Sequence, residues 1–385
     1  MPDNRSNGSD AYDVLVIGAG AVGLTCAWRA AQRGLRVLVL ERDAPGSGAS
    51  GVAAGMLAPV GEASWGEEGL LRANLASAEA WPAFAEELAE ASGRVPGYAP
   101  RGALHVALDR DEAAELRRRH ELQRSLGLEA EWLRPSECRR LEPGLATSVT
   151  GGVHVRGEAE VDSRALVAAL VDAFERAGGD LLAGEEPQEL LVERDRVAGI
   201  RTASGATLRC EQVVVATGPW SGSGEWLPAD ARPPTRPVKG QILVLRGAEP
   251  LCERIVVSPW MYVVPRADGR VIVGATVEER GFDETVTAGG VHELLREAYR
   301  VLPEVAELEL VELTAGLRPG SPDNAPLVGP GAIEGLVIAT GHYRNGILLA
   351  PLTGDAVAAH LAGDPPAEEV AALSPARFQA GMVMS

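Results

Sequence analysis

The chain has 385 residues, 46% of them hydrophobic and 23% charged, enough for two packed domains and too apolar for wholesale disorder. Acidic residues outnumber basic ones by 54 to 36, giving a formal net charge of −18, and such a surface repels phosphate backbones and anionic lipids. The polar opening from Met1 to Asp10 lacks the apolar core of a signal peptide, and no uninterrupted apolar run is long enough to span a membrane, so the expected location is cytoplasmic, with neither nucleic acid nor membrane as a partner.

Tyr12 to Ile17 reads as a buried parallel strand: apolar, rich in β-branched residues and ended by glycine. A helix is expected from Ala21 to Arg33, with small residues on one face and Gly34 as its stop, followed by a second buried strand from Leu35 to Leu40. This is a complete βαβ unit. Ala44 to Gly61 is rich in Gly, Ala and Ser and suits backbone that runs along a ligand. Helices are expected near Leu70 to Ser92, Asp111 to Leu126 and Ser163 to Ala177, with a strand from Gly102 to Leu108. Glu189 to Arg201 and Ala206 to Val215 read as strands around a turn at Ala203-Ser204-Gly205. Pro228 to Pro237 looks like a crossing between domains, and Gly240 to Arg246, Arg254 to Val264 and Arg270 to Ala275 suggest an antiparallel sheet. Leu336 to Thr340 is a short strand, followed by a helix from about Leu349 to Leu361. The predicted class is α/β, with antiparallel strands in the middle and a discontinuous Rossmann-like nucleotide domain.

The chemistry concentrates first at Gly18-x-Gly20-x-x-Gly23, between a strand and a helix. Gly18 permits the tight turn, Gly20 a close approach to a pyrophosphate, and Gly23 close packing of helix on strand. Ala21 and Val22 open the helix, whose free N–H groups and dipole favour phosphate. Glu41, followed by Arg42, ends the second strand at the spacing of the acid that binds ribose hydroxyls. This motif alone fits FAD or NAD. A single fingerprint, together with the later strand ends at Ala216-Thr217-Gly218 and Gly341 to Gly346, favours FAD. The four cysteines form no CxxC pair and the six histidines no ligand spacing, so no metal is expected.

Taken together, the fingerprint, Gly48 to Ala58, Tyr262 to Arg266, Val273 to Thr276, Ala315 to Gly320 and Gly341 to Pro351 resemble the D-amino acid oxidase superfamily, and within it the glycine oxidases of the thiamine-synthesis type. The resemblance covers nearly the whole chain. It implies an FAD-binding domain over 11–80, 150–228 and 325–372, a mixed-sheet substrate domain over 81–149 and 229–324, and tails at 1–10 and 373–385. It implies that Arg318 pairs with the substrate carboxylate, that Tyr262 donates to it, and that Arg344 lies at the pocket edge. Ala49, Ser50 and Met56 would line the near side of the flavin, with Met56 also beside the substrate. Thr217, Gly218, Gly341, Arg344, Asn345, Gly346, Ile347 and Leu348 would complete the cofactor site. Trp260 and Val277 stand where the resemblance implies a histidine and a methionine near the substrate.

An α-carboxylate needs an always-charged planar partner, which arginine provides, and Arg318 between Gly316-Leu317 and Pro319-Gly320 is poorly placed to be a loosely solvated surface residue. Oxidation at the α-carbon mainly needs orientation, so no dedicated acid–base residue is expected. The expected activity is oxidative deamination of glycine by non-covalent FAD with oxygen as acceptor, giving glyoxylate, ammonia and hydrogen peroxide, in a possible homo-oligomer, with the imine feeding thiamine synthesis. The other readings are a sarcosine or N-methyl amino acid oxidase, a dehydrogenase of the same fold, a silent FAD-binding subunit, and a tRNA-modifying oxidase, which the negative charge disfavours.

Overall fold

The computed structural model describes residues 11–365 and 367–379. β1 (Tyr12–Ile17), α1 (Ala21–Gln32) and β2 (Val37–Glu41) form the expected βαβ unit. α2 (Ala49–Val52) and β3 (Met56–Leu57) lead into the long α3 (Glu68–Ser92). Next come β4 (Ala103–Ala107), α4 (Arg110–Ser125), β5 (Glu131–Leu133), α5 (Pro135–Leu141), β6 (Gly151–Val155), β7 (Ala159–Glu160) and α6 (Ser163–Arg176). β8 (Asp180–Ala183), β9 (Pro187–Glu193), β10 (Arg196–Thr202) and β11 (Thr207–Val215) follow. Then come β12 (Arg236–Arg246), β13 (Ile255–Val257), β14 (Tyr262–Pro265), β15 (Arg270–Gly274), α7 (Ala288–Val301) and β16 (Glu309–Gly320). β17 (Leu327–Pro330), β18 (Leu336–Thr340), α8 (Ala350–Leu361), α9 (Glu368–Ala371) and α10 (Ala376–Gln379) complete the described chain.

Sixteen of these strands make two eight-stranded sheets, and β3 and β7 pair in a two-stranded one. The first runs β17-β18-β11-β1-β2-β8, with the β9–β10 hairpin attached through β11. Its centre is parallel: β1 pairs with β2 and β11, β11 with β18, and β2 with β8. Alternation along β1 sends Val14 and Val16 into the core shared with α1, α3, α6 and α8, and Leu15 and Ile17 into the core beneath the hairpin. Burial on both faces explains the unbroken apolar run; each such side chain stabilises the fold by about 1.5–3 kcal/mol.

The second sheet runs β16-β12-β15-β14-β13-β4-β6-β5 and is largely antiparallel. Leu243 and Leu245 of β12, Val263 of β14 and Val273 of β15 pack on the α7 side. The alternate residues Ile242, Val244, Val264 and Ile272 face the other way, where Tyr262 and Met56 pack against them. That second face looks toward the functional site.

The structure corrects several expectations. The domain edge at 80/81 would cut α3, yet Trp81, Phe84 and Leu88 pack in the same core as α1 and α6, so the helix stays whole with the first sheet. The edge at 150 fails because β6 pairs antiparallel with β4 and β5 in the second sheet. Of the expected C-terminal tail, Leu373 is buried and its carbonyl accepts the Val328 N–H, while Phe378 packs beneath the first sheet. The expected tail at 1–10 lies outside the described residues. Glu189 to Arg201 is a hairpin, turning where Arg194 and Asp195 adopt left-handed φ values of 53° and 64°. α7, an amphipathic helix capped by Thr287, and the 12-residue β16 were not among the expected elements.

Candidate active site

A cavity of about 1090 Å³ runs from the N-terminus of α1 to Tyr262 and Arg318 on the second sheet. It exceeds what a small substrate alone requires and is ample for a dinucleotide with a small partner.

The nucleotide end is built by close backbone approach. Gly18 has φ 107°, and a Cβ there would lie 2.5 Å from the Ala216 carbonyl oxygen. A Cβ on Gly23 would lie 2.0 Å from the Gly18 carbonyl oxygen, so only glycine lets α1 sit this close to β1. No acidic residue occupies the first turn of α1 and no side chain caps Gly20, which leaves the positive end of the helix facing the cavity. Ser50 Oγ accepts the Ala21 N–H at 3.0 Å, tying the Ala49–Ser50 segment to the helix start. Glu41 is held by two N–H donors, Ala19 to Oε2 at 2.7 Å and Asp43 to Oε1 at 2.9 Å. The Arg42 guanidinium stacks over the Trp220 ring at 4.7 Å. Thr217 Oγ1 pairs with Ser221 Oγ, which donates to Thr340 Oγ1, and Thr340 donates to the Gly218 carbonyl, locking together the ends of β11 and β18. A glycine cradle at a helix start whose N-cap residue has no side chain, with an acid fixed at the end of β2, fits the phosphates and ribose of FAD. Cys26, Cys138, Cys210 and Cys252 are all buried and none lines the cavity, the arrangement expected for a non-covalent flavin.

At the substrate end Arg318 lies half-buried on β16, and its Nη1 donates to the carbonyls of Thr276 at 3.2 Å and Lys239 at 3.4 Å. A Cβ at Gly240 would lie 2.5 Å from the guanidinium, so the neighbouring strand is hollowed out for it. Tyr262 stands opposite Gly274 in the antiparallel register, where any side chain would strike the phenol. Burial raises the Tyr262 pKa and the Arg318 charge opposes the rise; the phenol therefore stays a neutral donor beside a fixed cation. Arg344 is more exposed, over the Tyr343 ring, with Nε 3.8 Å from Glu62 Oε2.

Of the residues expected at the site, Gly18, Gly20, Ala21, Val22, Gly23, Glu41, Arg42, Ala49, Ser50, Met56, Thr217, Gly218, Tyr262, Arg318, Arg344, Gly346 and Ile347 line this one cavity. Gly341, Asn345 and Leu348 do not. The loop after β18 turns at Tyr343, whose φ is 47° and whose N–H donates to the Pro319 carbonyl. This presents His342, Tyr343 and Arg344 to the cavity and buries Asn345. Leu348 points into the core, its carbonyl accepting from Ser77 Oγ at 2.6 Å and Trp81 Nε1 at 2.8 Å. Trp260 and Val277 line the cavity yet are largely exposed. Sequence reasoning missed Glu62 and Trp220. Burial lowers the His342 pKa to about 3, so this imidazole, paired with Thr353 Oγ1 at 2.9 Å, is neutral. Glu62 carries no local signal; its burial is made by residues distant in sequence.

Fold and site together define a flavin-dependent oxidoreductase. The model of the FAD dependent oxidoreductase (DAO) family matches residues 13–360, and the chain belongs to that family. It is 35% identical to the glycine oxidase of Geobacillus kaustophilus over 353 residues, covering 90% of this chain and 92% of that protein. The crystal structure of glycine oxidase from the same organism superposes with a TM-score of 0.89 at 34% identity, over 95% of this chain and 98% of that one. The bifunctional protein ThiO/ThiG of Trichormus variabilis is 36% identical over 90% of this chain and 52% of its own length. Iminodiacetate oxidase from Chelativorans matches with a TM-score of 0.85 at 27% identity, over 94% of this chain and 98% of that one. The chain is thus an enzyme of the amino-acid-oxidising flavoproteins. None of its helices, among the described residues, is long and apolar enough to cross a membrane.

Proposed function

We propose that the substrate is glycine and that the reaction is its oxidative deamination: glycine, water and oxygen give glyoxylate, ammonia and hydrogen peroxide. The observation that carries this reading is the Arg318–Tyr262 pair in the same cavity as the glycine cradle. Arg318 supplies the planar charge that a carboxylate needs, and Tyr262 adds a neutral donor. Bound FAD supplies the acceptor for the two electrons of the α-C–H bond. The chain's own task is orientation: Gly240 and Gly274 let the two side chains stand close to their strands, and the bonds of Arg318 to the Thr276 and Lys239 carbonyls fix its plane. The likeness to glycine oxidases supports glycine, and the likeness to the ThiO/ThiG proteins supports delivery of the imine to thiamine synthesis. A second reading, an oxidase of N-substituted glycines, is favoured by the likeness to iminodiacetate oxidase and by the apolar Trp260 and Val277 at the open part of the cavity.

Product analysis of the holoenzyme separates these readings. With glycine, sarcosine and iminodiacetate compared at equal concentration, the proposal predicts the highest kcat/KM for glycine, with ammonia formed in step with peroxide. Preference for sarcosine with release of formaldehyde would select the second reading. Turnover that consumes no oxygen and needs an added carrier would make the enzyme a dehydrogenase.

A further inference from the structure

The cavity wall carries carboxylates that neither the nucleotide cradle nor the substrate clamp uses, and one of them, Glu62, stands at the clamp's end. Glu41 and Asp43 belong to the end of β2, Glu186 and Glu225 lie by the hairpin strand β9, and Glu284 is on the exposed rim. Glu62 alone among these acids stands within electrostatic reach of Arg318, Arg344 and Tyr262. Its Oε2 is sealed from solvent and accepts no hydrogen bond among the described residues, while about a quarter of the side chain, 26%, remains open. The turn that bears it is built for this placement. The Gly61 N–H donates to Glu158 Oε1 at 2.5 Å, and a Cβ at Gly61 would lie 2.3 Å from His105 Nε2 and 2.6 Å from Glu158 Oε1. Glu158 is fully buried, with its other oxygen 3.6 Å from His105 Nε2.

Arg344 at 3.8 Å is too far to hydrogen-bond Glu62 Oε2, and a carboxylate oxygen sealed from water without a hydrogen bond is costly unless something completes it. Within this cavity, and resting on the amino-acid reading above, a ligand held by its carboxylate at Arg318 brings a second, cationic group to the same end. We propose that Glu62 receives the ammonium group of the bound amino acid and takes one of its protons, so that the amine is neutral when its α-C–H bond is oxidised. The N–H bond breaks, its electron pair stays on nitrogen, and the proton forms an O–H bond on Glu62. The lone pair so released is what lets the α-carbon give up its hydrogen with two electrons; an ammonium opposes that loss. Four charged groups act on the proton affinity of Glu62 besides burial: Arg344, after β18, lowers it, Glu158, after β6, raises it, and His105 of β4 and Arg318 of β16 lower it, while Tyr262 of β14 faces the same space. Burial is the largest influence and raises the pKa, which makes the carboxylate a better proton acceptor than an exposed glutamate.

The test is the pH profile of kcat/KM for glycine in wild type and Glu62→Gln, beside binding of glycolate, which keeps the carboxylate and lacks the amine, read from the flavin spectrum. In wild type, kcat/KM should stay level well below the ionisation of free glycine's amine. In Glu62→Gln it should fall on the order of 10²-fold at neutral pH and climb by about tenfold per pH unit toward the amine's own ionisation, with glycolate binding unchanged. A wild-type profile that follows the free amine's ionisation overturns the proposal without any variant. A variant profile superimposable on wild type also overturns it, as does loss of glycolate binding together with glycine, which would make Glu62 a support for Arg344. Failure of every amino acid to reduce the wild-type flavin at any pH would instead defeat the amino-acid reading, and is seen before the variant is compared.

Discussion

At the scale of single residues, the account turns on Arg318. Its guanidinium is fixed by two carbonyls and by the hollow at Gly240, so removing the side chain should leave the fold in place and delete the carboxylate partner. Two charge-assisted bonds of roughly 1.5–3 kcal/mol each predict that Arg318→Ala raises KM for the amino acid by about 10²–10⁴-fold. Steady-state kinetics on variant enzyme that still carries its full complement of flavin checks this; an unchanged KM would remove Arg318 from the site. Arg318 and Tyr262, both of which line the cavity, were singled out through the family resemblance of their segments. Glu62 was not. It is one acid at the end of a glycine- and alanine-rich stretch, and what distinguishes it is the company of His105 and Glu158, contributed by other strands and turns.

At the scale of elements, the βαβ unit was readable because its demands are local. Gly23 is needed by the contact between one strand and the helix that follows it, and Gly18 by its positive φ in the turn between them, although the Ala216 carbonyl of the distant β11 end also crowds it. Gly23→Ala places a methyl group against the Gly18 carbonyl, so α1 must shift away from β1. Overpacking of this kind costs about 1–3 kcal/mol and should empty the cofactor site. The variant is expected to purify with little flavin and a lowered Tm; a fully yellow variant of normal Tm would mean that the cradle is not where the cofactor sits. The elements that sequence reasoning misplaced share a physical cause. Assigning β6 to a sheet depends on its partner β4, more than 40 residues earlier, and keeping α3 whole depends on Trp81 meeting α1, α6 and the Leu348 carbonyl. The loop after β18 was expected to face the flavin throughout, but the left-handed turn at Tyr343 divides it into cavity-facing and core-facing residues.

At the scale of the whole molecule, two sheets meet at one cavity, the first supplying the cradle and the second the clamp. The net charge of −18 repels polyanions from the surface as a whole, while Arg318 and Arg344 make the substrate end locally receptive to a carboxylate. Global composition describes the surface as a whole, and the fold brings Arg318 and Arg344, singled out by resemblance, to one cavity. The central claim is that cradle and clamp serve one reaction, and the visible spectrum of the purified holoenzyme under anaerobic addition of glycine tests it most directly. The account predicts that the oxidised flavin bands bleach and return when air is admitted. A protein that retains its flavin, yet bleaches with neither glycine, sarcosine nor D-alanine, would contradict it.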